Sequence, residues 1–538
     1  MWQEFLGNSI RDIIEVALSS LGSLTRLTSA PKGSQRPLYL YNTLLKEKQL
    51  FTLPPNVRSV RMYNCGPTVY DRQHIGNLSA AVFADVLRRT LESNGYSVKQ
   101  VINITDFGHL SGDNDGDPDT GEDKMTKGLK REKLPITMEN MREFATKYMN
   151  LYLADIKALN VATERIKFPR ASDYVPGQIA MVQALVEKGY AYETSDGVYF
   201  DTSRFPDYGA LGGIDLTGLK EGSSDDTSGG KGARIAANAE KRHPTDFAIW
   251  KKVAGASTSK KSPKSKKLGW DSPWGVGFPG WHIECSAMIN SILGKQIDIH
   301  TGGIEHISIH HNNEIAQSEA ATGKHPFSRF WMHRAHIQMD GSKLSKSTGN
   351  TAYLSDLDDH RIHSVALRYW FLTSHYRTAT NFTWEAVEAA QQAWMRLQQR
   401  MQTVRAEPIA KTPAEFERLF TERMNDDLDT PGAIAIMWEA VKNTDNSPAQ
   451  IKAILTFVDA ALALSLVNPD ETTRALMTAS HGIIVESLPD DIQTLIRERT
   501  SARENKDWSK ADILRDSLKQ KGYEVKDGIT GIEIFKVN

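Results

Sequence analysis

The chain has 538 residues, 40 % hydrophobic and 24 % charged, with a formal net charge of −1. At roughly 100–200 residues per domain, this length implies three or four domains with ample chain to bury a core, and the composition excludes a disordered or collagen-like protein. Balanced charge excludes a polybasic chain that holds nucleic acid by bulk electrostatics, so any nucleic-acid site has to be a local patch.

Two cysteines, Cys65 and Cys285, are too few for a disulfide-scaffolded secreted fold, and a reducing cytoplasm is the expected compartment. No uninterrupted apolar run reaches the ~18–20 residues of a membrane span. At the N-terminus Phe5, Leu6, Ile10, Ile13, Ile14, Ala17, Leu18 and Leu21 have helical spacing, interrupted by Glu4, Asp12 and Glu15. Those acids suit neither a signal peptide nor an acid-poor transit peptide. A short amphipathic helix docked on the protein's own surface is expected, with Pro31 to Pro37 as a linker.

Alternation from Val57 to Tyr63 predicts a half-buried strand. A Gly66-Pro67 turn follows, then a helix from about Leu78 to Ser93, a stop at Gly95 and a second strand over Ser97–Thr105. Strand, loop, helix and strand in this order begin a parallel α/β sheet. Helices are predicted over Met138–Leu159 and Pro176–Gly189. The acidic run Asp113 to Asp119 is read as a solvated loop, because Pro118 and Lys124 stand where a calcium loop needs glycine and a closing acid. The Ser/Gly/Asp-rich stretch 222–232 and the lysine-rich stretch 257–267 are read as surface loops. Beyond Thr383 the chain is mostly helical, closing with two short strands around Gly522–Asp527 and Ile532–Lys536.

Three constellations carry chemistry. His74-Ile-Gly76-Asn77 lies between a strand and a helix, where helix N–H groups and an imidazole can meet phosphate and a glycine admits close backbone approach. Alone, the string is no more than a capped helix start. Lys343-Leu-Ser-Lys346-Ser, within Met339 to Asn350, forms a cationic loop suited to a polyphosphate. The two strings on one α/β chain, in this order, are the nucleotide-binding signatures of class I aminoacyl-tRNA synthetases. Third, Cys65, Cys285, His310 and Glu314 offer two thiolates, an imidazole and a carboxylate, with His310 and Glu314 at i and i+4 on one helical face. Spacing does not choose between a zinc set and two unrelated buried thiols.

From about Leu38 onward the chain resembles the bacterial cysteinyl-tRNA synthetases. The residues that carry the resemblance are Asn64-Cys-Gly-Pro-Thr-Val-Tyr-Asp71, Asn103-Ile-Thr-Asp106, Gly121-Glu-Asp-Lys-Met125, Asp246-Phe-Ala-Ile-Trp250, Ser272-Pro-Trp-Gly275 through Met288, and the lysine loop. Downstream, Met424-Asn-Asp-Asp-Leu-Asp-Thr-Pro431 and Arg499–Asp516, with Lys506-Asp-Trp508, resemble the helical and C-terminal regions.

The resemblance implies a class I Rossmann-like nucleotide-binding fold with an insertion, then a helical bundle and a small anticodon-binding domain. The expected division is an extension and linker (1–36), the first half of the catalytic domain (37–150), a connective insertion (151–245), and the second catalytic half (246–330). A lysine-loop region contacting the tRNA stem (331–386), a bundle (387–470) and the C-terminal domain (471–538) complete it. The implied reaction joins cysteine and ATP as cysteinyl-adenylate and passes the acyl group to a cysteine tRNA. One Zn²⁺ per chain would be held by Cys65, Cys285, His310 and Glu314 and would bind the substrate thiolate, with Mg²⁺ accompanying ATP. His74, Asn77, Lys343 and Lys346 are the expected catalytic residues, and Pro67, His74, Gly76, Asn77 and Lys346 the nucleotide contacts. Thr105, Trp281, His300, Glu305 and His311 would surround the amino acid. A cytoplasmic monomer is expected.

Four positions depart from the family pattern. Asn77 stands for a second histidine, Leu344 for methionine, Glu305 for an aspartate that would meet the substrate ammonium, and Asn312 for an acid beside the metal helix. Two other readings remain: a cysteine ligase acting on an amino sugar, which would lack most of the region after Thr383, and a non-catalytic tRNA-binding paralogue, which would have little reason to keep His74, the lysines and the metal set together.

Overall fold

The computed structural model describes residues 36–107, 124–212, 240–253, 268–339, 342–343, 351–480, 488–528 and 531–536. The expected N-terminal helix, the acidic loop, the loops 222–232 and 257–267, and Lys346 lie outside the described residues.

A hairpin of β1 (Tyr39–Asn42) and β2 (Glu47–Leu50) leads into β3 (Ser59–Asn64), the first strand of a five-stranded parallel sheet. Next come α1 (Ile75–Ser93), β4 (Ser97–Ile102), α2 (Lys124–Arg131), α3 (Met138–Ala158) and β5 (Ile166–Lys167). The chain then passes through α4 (Val175–Glu187), β6 (Ala191–Glu193), β7 (Gly197–Phe200), β8 (Phe247–Lys252) and β9 (Gly277–Pro279). It returns to the parallel sheet through α5 (Trp281–Ile292), β10 (Ile297–Gly303), α6 (His310–Thr322) and β11 (Ser328–Arg334).

The parallel order is β11-β10-β3-β4-β5. From β3 the sheet grows outward through β4 and β5, then resumes on the other side with β10 and β11. The order therefore reverses between β3 and β10, and the crevice beyond their carboxyl ends is where doubly wound sheets bind ligands. Both faces of the sheet are covered by helices. On α1, Ile75, Leu78, Val82, Val86 and Leu87 recur at helical spacing and are buried, and Gly95, at φ +84°, takes the left-handed conformation just past the helix end.

The expected boundaries do not follow the elements. Residue 151 falls inside α3, 331 inside β11, and 387 inside the helix Trp384–Val404. Strands β6 to β9 form one four-stranded antiparallel sheet, so the region expected to open the second catalytic half at 246 begins with β8 and β9 of that inserted sheet. The β6–β9 sheet therefore spans the expected boundary at 246.

After β11 come β12 (Ile337–Met339), β13 (Ser342–Lys343), α7 (Asp356–Asp359), α8 (Ser364–Leu372) and β14 (Thr380–Phe382). A helical region follows: α9 (Trp384–Val404), α10 (Ala414–Asn425), α11 (Thr430–Lys442), α12 (Pro448–Leu462) and α13 (Glu471–Ser480). Val387, Ala390, Trp394, Leu397 and Met401 form the buried stripe of α9, spaced by three and four residues. Ser447 and Gln450 form a reciprocal capping box at the start of α12. Finally α14 (Asp490–Glu504), α15 (Trp508–Gln520), β15 (Tyr523–Gly528) and β16 (Gly531–Lys536) enclose a separate small core of Leu488, Ile492, Ile496, Leu518, Val525 and Ile534. Among the described residues no helix is long and apolar enough to cross a membrane.

Candidate active site and metal centre

Cys65 follows the last residue of β3, and its N–H donates to the Thr301 carbonyl of β10, placing the thiol at the point where the strand order reverses. Cys285 sits in the second turn of α5, and His310 and Glu314 lie one turn apart on α6. The ligand atoms of Cys65, Cys285, His310 and Glu314 all lie within 4.8 Å of one another, and both cysteines are free thiols. Cys65 and Glu314, 249 positions apart in the chain, converge with the other two because two helices and one strand end at the same crevice. Two unrelated buried thiols are excluded.

An overlapping set, Cys65, His300, His311 and Glu314, meets the same distance criterion. His300 Nε2 lies 2.9 Å from Glu314 Oε2, His310 Nε2 lies 2.9 Å from Glu314 Oε1, and His311 Nε2 lies 3.3 Å from the Cys65 sulfur. Each of the two helix imidazoles has its far nitrogen held. His310 Nδ1 pairs with His282 Nδ1 at 2.9 Å, and His311 Nδ1 pairs with His333 Nε2 at 2.8 Å, while His333 Nδ1 reaches Thr43 Oγ1 at 2.8 Å. Such outer partners orient metal-binding imidazoles.

The electrostatics are those of a tightly paired buried cluster. Burial works against ionisation of Glu314, yet His300 and His310 hold it down at about 2. Burial likewise opposes a charge on His310, yet Glu314 and Cys285 push it up to about 10. The hydrogen bond from Cys65 lowers the Cys285 thiol, while burial raises Cys65. Burial holds His306 down at about 4 and His311 and His333 well below the usual imidazole range, so these rings are neutral. Two sulfurs, one imidazole and one carboxylate, close-packed and partly ionised, fit a borderline-soft dication such as Zn²⁺.

The side of the crevice that carries Gly66 and Thr105 is built by close backbone approach. A Cβ on Gly66 would stand 1.7 Å from the Asn103 carbonyl oxygen, so only glycine lets the two strand ends meet there. Gly66 N–H donates to Asn103 Oδ1, Thr105 N–H donates to the Pro67 carbonyl, and Thr105 Oγ1 donates to Glu284 Oε2 at 3.1 Å. A Cβ on Gly302 would run into His306 Nδ1 at 2.6 Å and His311 Cε1 at 2.7 Å, so this glycine seats two imidazoles against the strand. Trp281, the first residue of α5, has its ring centroid 4.4 Å from that of His310. Glu305 lies in the turn before α6, its carboxylate 3.4 Å from His336 Nδ1. Asn312 donates to the Leu211 and Ile307 carbonyls and accepts from Leu211 N–H; a carboxylate could accept there but not donate.

At the start of α1 His74 caps the helix, its Nδ1 accepting from Asn77 N–H at 3.3 Å, and Gly76 lies in the first turn. A backbone bridge joins His74 to Tyr353, and Ile75 N–H donates to the Ala352 carbonyl. At the other end of the lysine loop β13, containing Lys343, pairs with β12. Both ends of that loop are therefore anchored, one directly beside His74. The fold brings the two signatures to one place, while Leu344 and Lys346 themselves lie outside the described residues.

His282, Glu284, His306, His333 and Tyr63 were not singled out from sequence. A usable signal existed for His333, since Trp331 and His333 alternate onto the face of β11 that meets His300 and His311.

Comparison with known proteins agrees with this geometry. Residues 52–392 match the family described as tRNA synthetases class I (C) catalytic domain, and residues 485–533 match the cysteinyl-tRNA ligase anticodon binding domain. Cysteine–tRNA ligase 1 of Burkholderia lata is 41 % identical over 500 residues, covering 93 % of this chain and 97 % of that protein. Cysteine–tRNA ligase of Novosphingobium aromaticivorans is 38 % identical over 513 residues, covering 93 % and 97 %. With a catalytic domain and a C-terminal anticodon binding domain that match in order, and relatives 38–41 % identical along 93 % of its length, the chain belongs to the cysteine–tRNA ligase family of class I aminoacyl-tRNA synthetases.

Proposed function

We propose that the chain activates cysteine with ATP, releasing pyrophosphate, and transfers the cysteinyl group from the adenylate to the 3′ end of a cysteine tRNA. The observation that carries this reading is the convergence of Cys65, Cys285, His310 and Glu314 beside the crevice where His74 and the lysine-loop ends meet. Bound zinc would supply a soft Lewis acid that takes the substrate's sulfur as thiolate and so separates it from serine's neutral hydroxyl. The four ligands hold it, while His300 and His311 orient Glu314 and Cys65 by the contacts at 2.9 and 3.3 Å.

Thr105, Trp281 and Glu305 line the amino-acid end, with Glu305 receiving the substrate ammonium. His74, Asn77, Lys343 and Lys346, with Pro67 and Gly76, serve ATP. The amide of Asn77 donates a hydrogen bond without charge, leaving cationic stabilisation to the two lysines. Mg²⁺ accompanies the triphosphate. In this reading a catalytic core, split by the insertion that carries the β6–β9 sheet, is followed by the stem-contact region, the bundle and the anticodon reader of a cytoplasmic monomer.

The test is cysteine-dependent ATP–pyrophosphate exchange, followed by charging of a tRNA with a cysteine anticodon. Both are expected, and Lys346→Ala should slow exchange on the order of the 10²–10³-fold typical of losing one preorganised donor. Exchange without charging would favour another acceptor such as an amino sugar, and neither activity would favour a binding paralogue.

A further inference from the structure

Behind the four ligands lies a polar group outside the chemistry of the proposed reaction. Tyr63 is fully buried at the carboxyl end of β3, and its hydroxyl has no hydrogen-bond partner. It stands two residues before Cys65, so both side chains leave the same face of the strand line. Tyr63 packs with Val101, Cys285, Met288, Ile289 and Trp331, and its ring meets the edge of His300 at 5.3 Å.

A phenol keeps its hydrogen at neutral pH and needs an acceptor for it when buried. Both cysteines of the ligand set lie in the same buried cluster as Tyr63. A neutral thiol accepts hydrogen bonds weakly, whereas a metal-bound cysteine is a deprotonated thiolate. The orphaned hydroxyl is therefore a donor waiting for a change of state in the sulfur it faces. Cys65 already meets His311 Nε2, and the hydrogen bond that Cys65 gives Cys285 disappears once both sulfurs are thiolates on an ion, which leaves Cys285 to accept from the hydroxyl.

We propose that Tyr63 is a positioning residue for the metal, donating its hydroxyl hydrogen to the Cys285 thiolate when the ion is bound. This rests on the reading that Cys65, Cys285, His310 and Glu314 hold zinc. The bond would draw charge from the sulfur, leave the ion more electrophilic toward the substrate's thiolate, and favour the bound state over the metal-free one. A merely apolar filler would serve equally well as phenylalanine.

The experiment compares the full-length protein with Tyr63→Phe and Cys285→Ala, using zinc competition against a chromophoric chelator and the absorption of the cobalt(II)-substituted protein. Loss of an outer partner should weaken zinc by roughly 10–100-fold, and the sulfur-to-cobalt charge-transfer band should move to lower energy. Thermal melting should respond unequally: Tyr63→Phe leaves the metal-free protein unchanged or more stable, because it removes an unpaired hydroxyl, and it reduces the gain that zinc provides. Wild-type zinc affinity and an unmoved band in Tyr63→Phe, or equal loss of melting temperature with and without metal, would overturn the role of Tyr63. Wild-type zinc affinity in Cys285→Ala would instead overturn the zinc assignment beneath it.

Discussion

Two of the clusters of buried charge among the described residues differ in how the protein balances them. At the joint between the sheet and the helical region, Asp85 of α1 is buried and receives Arg88 Nη2 at 2.5 Å, Arg89 Nε at 2.8 Å and Arg368 Nη2 at 2.7 Å. Arg368, buried on α8, directs its remaining donors to the Leu462, Leu159 and Asn160 carbonyls, tying the ends of α12 and α3 to α1. In the metal cluster Tyr63 Oη, His300 Nδ1 and His306 Nδ1 are buried without partners, against one such atom, Arg88 Nε, in the Asp85 cluster. Buried polar groups are nearly always satisfied, so the larger number of orphans around the four ligands fits the zinc proposed for them.

The difference can be broken at either end. Cys285→Ala should cost most: the metal should be lost, and cysteine-dependent exchange should fall beyond the roughly 100-fold upper range for outer-shell partners. The KM for ATP should change far less, because the cluster lies at the amino-acid end of the crevice. Metal analysis with steady-state kinetics reads both, and an unchanged KM for cysteine would contradict the assignment.

Arg368→Met should destabilise the fold without touching the chemistry. It strips the buried Asp85 of one of its three guanidinium partners and releases three carbonyls, and breaking a buried pair typically costs ~3–5 kcal/mol. Urea unfolding measures this, and the surviving folded protein should keep its KM for cysteine.

The smallest effect is on the acid side of the stability profile. Burial opposes ionisation of Asp85, but Arg368, Arg89 and Arg88 hold its carboxyl well below its usual 3.8. A depressed folded pKa contributes stability that is fully present above the unfolded value and lost as pH falls through the folded one. Wild-type unfolding free energy should therefore decline below about pH 4, and the Asp85 share of that decline should shrink in Arg368→Met. Parallel curves for the two proteins between about pH 3 and 6 would show that Arg368 does not carry the shift.

Much of this was legible in the chain. The helix predicted from Leu78 to Ser93 runs from Ile75, and those over Met138–Leu159 and Pro176–Gly189 form Met138–Ala158 and Val175–Glu187, because apolar spacing and caps act over a few residues. His310 and Glu314 could be paired from sequence since about four residues make one helical turn. The C-terminal strands emerge as the hairpin of β15 and β16. The domain limits were less legible, since α3 and β11 run straight through the expected boundaries at 151 and 331.

What the sequence by itself determined is local: the order of strands and helices, the two signatures, the glycines at Gly66 and Gly95, and the pairing of His310 with Glu314 on one helical turn. The tertiary structure decided which of those meet. Cys65 reaches Cys285 because β3 and β10 pair side by side across the long intervening chain, and α5 and α6 then lay their first turns over the same crevice. His282, His306 and His333, each an unremarkable histidine in sequence, become a shell around the cluster because helix and strand ends focus them inward. The physical reason is range: propensity and capping are settled between near neighbours, whereas burial and the fate of a buried charge depend on partners that only folding brings within a few ångströms.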